Sequence, residues 1–244
     1  HQPRRQRQMC IRDRFKTKTG EKIWFRIAGD PVMGQEEVLW TVVDITERVE
    51  AQNRIEELAS KLSKYLSPQV YRSIFSGQKN VQIEANRKKL TVFFSDIKDF
   101  TELTDRLEPE VLSSLLNSYL NEMSKIALKY GGTIDKFVGD AILIFFGDPE
   151  TNGEKADATS CVLMALEMRE RMKFMRQIWE DEGISKPLNI RIGINTGYCN
   201  VGNFGSEDRL DYTIIGGEVN LASRLESNAS VGQILVSHET LLVN

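Results

Sequence analysis

The sequence has few of the residues that build nitrogen and sulfur metal centres or staple small folds: 244 residues hold 3 Cys and 2 His. Cys10, Cys161 and Cys199 are odd in number and far apart, and only His1 and His238 could assist them. That excludes a disulfide framework and a zinc site, and it implies a reducing, cytoplasmic compartment. Long apolar runs are also absent. The longest, AILIFF at 141–146, is far short of the roughly 20 residues a membrane span needs, and no signal peptide is visible. Charge of one sign is not in excess either: 32 Lys and Arg face 35 Asp and Glu, a net charge of -3, which gives no global attraction for nucleic acid or anionic lipid. What remains is 41% hydrophobic and 27% charged residues with a mean hydropathy of -0.34, the balance of a soluble globular protein.

Charge is unevenly spread: at the start, Arg4, Arg5, Arg7, Arg12, Arg14, Lys16 and Lys18 face Asp13 alone. Such an arm can bind nucleic acid. Its abrupt junction with a strand pattern instead marks residues 1–14 as expected to be non-native or disordered, and they are set aside. Residues 15–46 alternate in the strand manner (Ile23, Phe25, Ile27, then Val38, Trp40, Val42) around Gly20, Gly29 and Gly34, a β-meander too short to own a core. Residues 47–66 change character. Ala51, Ile55, Leu58, Leu62 and Tyr65 fall on the a/d seam of a parallel coiled coil, a dimer linker, although an amphipathic helix packed on its own domain fits the same spacing.

Residues 67–244 form a further unit. A strand at 90–94 precedes a helix from Pro109 to Tyr130, with Pro109 suited to its first turn and Gly131-Gly132 to its stop. TIDKFVGDAILIFFG reads as two strands joined at Gly139-Asp140, followed by a helix from Lys155 to Trp179. Strand 188–195, a Gly-rich ribbon, strand 210–215, helix 217–226 and strand 233–237 complete the pattern. The order strand, helix, hairpin, helix, strand predicts an α+β sandwich of ferredoxin type.

Two carboxylates stand out. Asp96 ends the strand LTVFFSD and Asp140 sits at the hairpin turn. Acids at neighbouring strand ends can hold magnesium, which binds through one or two carboxylates plus substrate phosphates, but acids in tight turns more often serve backbone hydrogen bonding. The loop after Asp96 leads through Phe100 and Thr101 into a helix start, an anion site, so both are candidate substrate-binding residues. Lys136 lies four residues before Asp140, where a period of two puts both on one strand face; a solvated edge is the plain alternative. Asn220 and Arg224 are one helical turn apart. Arg224 could clamp a phosphate or simply pair with Glu218 or Glu226 at the surface.

FFSDIKDFT at 93–101, KFVGDA at 136–141 and DYTIIGGEVNLASRLE at 211–226 resemble the three signature segments of class III nucleotidyl cyclases, in order and suitably spaced over residues 65–237. Upstream, FKTKTGEKIWFRIAGDPV and VLWTVVDITERVE resemble the C-terminal part of a PAS sensor domain. The resemblance implies that Asp96, Asp140 and the Ile97 carbonyl hold two magnesium or manganese ions. Lys136 matches the lysine that reads the adenine edge, where guanylate cyclases carry Glu. Thr213 matches the second base-reading position, filled by Cys in many guanylate cyclases. Asn220 and Arg224 match the pair that orients the ribose and stabilises charge on the α-phosphate. Together these imply a homodimeric adenylate cyclase acting on ATP, with no nucleic acid or direct membrane contact. A guanylate cyclase and a catalytically inactive dimerising sensor module are the rivals; the glycine-rich acidic signature of diguanylate cyclases is missing. Two positions depart from the family: Asp99 stands where Gly is usual, and Tyr198 where mammalian enzymes carry a phosphate-binding Arg. The family's triphosphate-binding Lys is expected beyond the last residue, so the chain reads as truncated at both ends.

Overall fold

The computed structural model describes residues 9–16, 20, 22–31, 38–75, 82–184, 188–206 and 208–243, with one unit ending at Tyr65 and another beginning at Leu66. Arg4, Arg5, Arg7, Lys18 and Gly34 lie outside the described residues. In the first unit, β1 (Met9–Lys16), β2 (Lys22–Pro31) and β3 (Val38–Asp44) form an antiparallel meander. Within the stretch expected to be non-native or disordered, residues from Met9 onward pair with β2, Met9 opposite Gly29 and Lys16 opposite Lys22. MCIRDRFK alternates with period two, a signal that the run of arginines obscured. Three strands hide little apolar surface, and Leu39, Trp40 and Val42 stay exposed.

Thr46 ties the meander to the helix that follows. Its amide and hydroxyl both donate to Asp44 Oδ1, at 2.8 and 2.6 Å, and its hydroxyl oxygen accepts from the Trp24 amide at 2.9 Å. Those two donors hold the Asp44 carboxyl below its ordinary range. Helix α1 (Thr46–Leu62) has no buried residue, and Ile55, Leu58 and Leu62 are each more than half exposed. The seam therefore does not pack on its own unit, and Tyr65 falls in a closing 3-10 turn, Ser63–Tyr65, rather than in the α-helix.

The second unit is built on β4 (Ala85–Ile97), a 13-residue strand that pairs antiparallel with β6 (Ala141–Phe146) on one side and β7 (Ile190–Gly205) on the other. β5 (Thr133–Val138) flanks β6, and β8 (Leu210–Ile215) flanks β7, giving the order β5-β6-β4-β7-β8. The first four of these strands in chain order, joined by helices α4 (Pro109–Lys129) and α5 (Glu154–Asp181), make the ferredoxin-type order foreseen. Short helices α2 (Pro68–Phe75) and α3 (Phe100–Thr104) flank β4 in sequence. Past β8 come α6 (Gly217–Asn228), the short β9 (Ile234–Val236), parallel to β7, and α7 (His238–Val243).

Both strands of the central ladder run beyond the expected limits. The charged stretch ANRKK and the Gly-rich ribbon after Asn195 pair with each other, Ala85 opposite Gly202 through Lys89 opposite Tyr198. Ladder hydrogen bonds override weak strand propensity here. The main core lies between the sheet and α4 with α5, where Met164, Met168, Met172 and Met175 form a buried stripe at helical spacing. A smaller core on the opposite face joins Val92, Leu143, Phe145, Cys199, Val201 and Ile214 to Ala222 of α6. Among the described residues, no helix is long and apolar enough to cross a membrane.

α6 can approach the sheet because Gly193 has no side chain: a Cβ there would stand 2.2 Å from the Ala222 carbonyl oxygen and 2.3 Å from the Glu226 amide nitrogen. Gly193→Ala should therefore push α6 off β7 and cost at least about 2 kcal/mol, a fall of roughly 5 °C in Tm. Thermal unfolding measures this, and an unchanged Tm would contradict the packing.

Candidate active site

Three groups of side chains gather on or beside the α6 face of the sheet. The first is the carboxylate pair. Alternation along β4 sends Phe93, Ser95 and Ile97 toward the main core and leaves Asp96 on the other face. Asp140 follows Gly139, whose φ of +64° makes the β5–β6 turn easy for glycine. Asp140 Oδ2 accepts from the Ile97 amide at 3.0 Å, so the turn is pinned to the end of β4. Burial, a hydrogen bond to Asp96 and that neighbour's negative charge push the Asp140 carboxyl up to about 6.

Arg191, directly across the ladder from Asp96, completes this group. Its Nη2 lies 3.0 Å from Asp96 Oδ2 and 2.8 Å from Glu226 Oε1. Glu226 is 3% exposed, and burial raises its carboxyl despite the guanidinium. Sequence reading offered Glu226 as a surface partner for Arg224, and the structure corrects this: Glu226 turns inward to Arg191. Arg191 itself was missed, although a charged residue inside LNIRIGIN was the available signal.

The second group comes from the sheet's two edges. β5 and β6 shift register between Ile134 and Lys136, so Asp135 is the extra residue of a β-bulge. The expectation that alternation would put Lys136 and Asp140 on one strand face is corrected: β5 ends at Val138, and Asp140 lies in the turn outside the strand. Asp135 Oδ2 accepts from the Thr213 hydroxyl at 2.6 Å and the Ile214 amide at 3.2 Å, and its Oδ1 lies 3.4 Å from Lys136 Nζ. Lys136 and Thr213, predicted as a pair, are thus brought together, through an aspartate the sequence reading did not single out. Burial holds the Asp135 carboxyl above its ordinary range, against its three partners.

The third group is Asn220 and Arg224, both exposed, with Arg224 Nε donating to the Asn220 carbonyl at 3.4 Å. Among the described residues, neither has a hydrogen bond or ion pair to Asp96 or Asp140. Phe100 packs against the main core while Thr101 is exposed at the start of the five-residue α3.

The family described as the adenylate and guanylate cyclase catalytic domain matches residues 82–244. The chain belongs to that family. It is 66% identical to the crystal structure of the adenylyl cyclase CyaB from P. aeruginosa, with a TM-score of 0.64 over 66% of this chain and 82% of that one. The guanylyl cyclase Cya2 is 38% identical, with a TM-score of 0.63 over 66% and 80%. The adenylate cyclase "terminal-differentiation specific" of Dictyostelium discoideum is 36% identical over 72% of this chain, which spans 8% of that protein.

Cyclases of this class generally depend on divalent metal, and the carboxylates of this domain suit one. The crowding that raises Asp140 would be relieved by a cation. Two acids with a backbone carbonyl suit magnesium, which keeps waters and substrate phosphates as its other ligands. The two departures from the family also have local roles. Asp99 takes the left-handed conformation, φ 58°, that the usual glycine would favour, and pairs with Lys98 at 2.8 Å. Tyr198 is exposed, with the Arg87 guanidinium 5.0 Å from its ring centre.

Asp140 sits above the ordinary aspartate value, so the folded state binds its proton more tightly than the unfolded chain does. The associated stability is present below about pH 4 and is lost as pH rises through about 6. In metal-free protein, Asp140→Asn, which keeps an acceptor for Ile97, should therefore raise Tm near neutral pH, and this gain should vanish toward about pH 4. A gain that is the same at both pH values would contradict the assignment.

Proposed function

We propose that this catalytic domain is an adenylate cyclase that converts ATP to 3′,5′-cyclic AMP and pyrophosphate, as a cytoplasmic homodimer using two magnesium or manganese ions per site. The observation that carries the reading is the meeting of Lys136 and Thr213 from opposite sheet edges. Adenine offers N1 as acceptor and its 6-amino group as donor, which a lysine donor and a threonine oxygen match; guanine offers a carbonyl and an N1–H. The 66% identity to an adenylyl cyclase supports the same choice.

Bound divalent ions would help activate the ribose 3′-OH and neutralise the departing pyrophosphate. Asp96, Asp140 and the Ile97 carbonyl would hold them, and Arg191 keeps Asp96 aimed. Arg224 stabilises charge on the α-phosphate in the transition state, and Asn220 orients the ribose. As membership of the cyclase family implies, we take the two sets as complementary across a two-fold axis. Each site then combines Asp96 and Asp140 of one copy with Lys136, Thr213, Asn220 and Arg224 of the other. The open seam of Ile55, Leu58 and Leu62 on α1 suits a coiled coil with the second copy. The meander before it reads as the close of a PAS sensor that regulates the enzyme.

Under manganese, the chain should turn over ATP at least about tenfold faster than GTP. Asp96→Ala and Asp140→Ala should each lower turnover at least about a hundredfold while leaving the far-ultraviolet circular dichroism unchanged. Equal turnover of ATP and GTP would refute the substrate, and normal turnover in either variant would refute the metal site.

A further inference from the structure

Asp135 has no part in the roles assigned so far, yet it is the point on which the two base-reading side chains converge. Its side chain is 1% exposed, and a buried carboxylate needs partners. Oδ2 takes two, the Thr213 hydroxyl at 2.6 Å and the Ile214 amide at 3.2 Å. The amide can only donate, so this oxygen is an acceptor and the Thr213 hydroxyl supplies the hydrogen of the shorter bond. A hydroxyl owns one hydrogen and two lone pairs. With the hydrogen given to Asp135, Thr213 has only lone pairs left to present, whereas Lys136, 3.4 Å from Oδ1, presents only hydrogens.

We infer that Asp135 is a specificity-determining positioning residue: by taking the Thr213 proton, it turns an ambivalent hydroxyl into a fixed acceptor beside the Lys136 donor. The inference rests on the reading above that Lys136 and Thr213 face the purine. An acceptor next to a donor complements the 6-amino group and N1 of adenine. The same edge meets guanine with its oxygen against the 6-carbonyl and its ammonium against N1–H, two mismatches. A threonine free to rotate would remove the first of them by donating to the 6-carbonyl. Asp135 therefore acts on base choice through Thr213 and touches no reacting atom. Were it only a latch between β5 and β8, its loss would weaken both nucleotides alike.

The test is Asp135→Ala in the full chain. Alanine removes the oxygen that accepts from both the Thr213 hydroxyl and the Ile214 amide, which frees the hydroxyl hydrogen. The ratio of kcat/KM for ATP over GTP should fall about tenfold, and the ratio of calorimetric affinities for the two nucleotides should fall with it. Thr213→Val runs alongside and should lower kcat/KM for ATP much more than for GTP. If Thr213→Val shifts the ratio and a folded Asp135→Ala does not, the inference is overturned while the base-reading assignment stands. Should Thr213→Val shift neither ratio, the base-reading assignment fails and the inference with it. If Asp135→Ala does not fold, Asp135→Leu, which fills the space without an acceptor, decides by the same ratio: a fall supports the fixed acceptor, and an unchanged ratio overturns it.

Discussion

The pairing of β4 with β7 along all 13 residues of β4 is the constraint on which the rest of the unit depends. It sets Arg191 opposite Asp96 at one end and extends, through the Gly-rich half of β7, to carry β8 at the other. β8 in turn reaches Asp135 on β5, although the two strands stand at opposite ends of the sheet order. The sheet thus curls until its edges meet over the smaller core. One ladder shapes the proposed metal site and brings the two proposed base-reading positions together.

Charge is handled differently at the two places. At the proposed metal site two acids crowd one another and are only partly offset by Arg191, which leaves Asp140 above its ordinary range. That arrangement costs stability in the absence of a cation and gains it on binding one. At Asp135 one carboxylate oxygen takes two donors from within the chain while Oδ1 has only the ion pair with Lys136, and its effect is to fix the polarity of Thr213.

Much of this was legible in the sequence because it is local. The strand ending at Asp96, the turn at Gly139-Asp140, and the one-turn spacing of Asn220 and Arg224 each follow from adjacent residues, and the ferredoxin-type strand order follows from element order. What escaped depends on register or distance. Asp135 gains its role from a bulge, which no periodicity of TIDKFV reveals. Arg191 and Glu226 find each other only because Gly193 lets α6 lie close to β7. The strand at Met9–Lys16 was hidden by its arginines, since its alternation becomes informative only once β2 is there to pair with it.

The composite site is tested most directly by mixing two defective chains, one carrying Asp96→Ala and the other Arg224→Ala. If carboxylates and arginine come from opposite copies, each mixed dimer regains one complete site, and random pairing should restore roughly a quarter of the wild-type turnover of ATP. No recovery in a mixture whose mixed dimers are shown to form would mean that each site is built within a single chain.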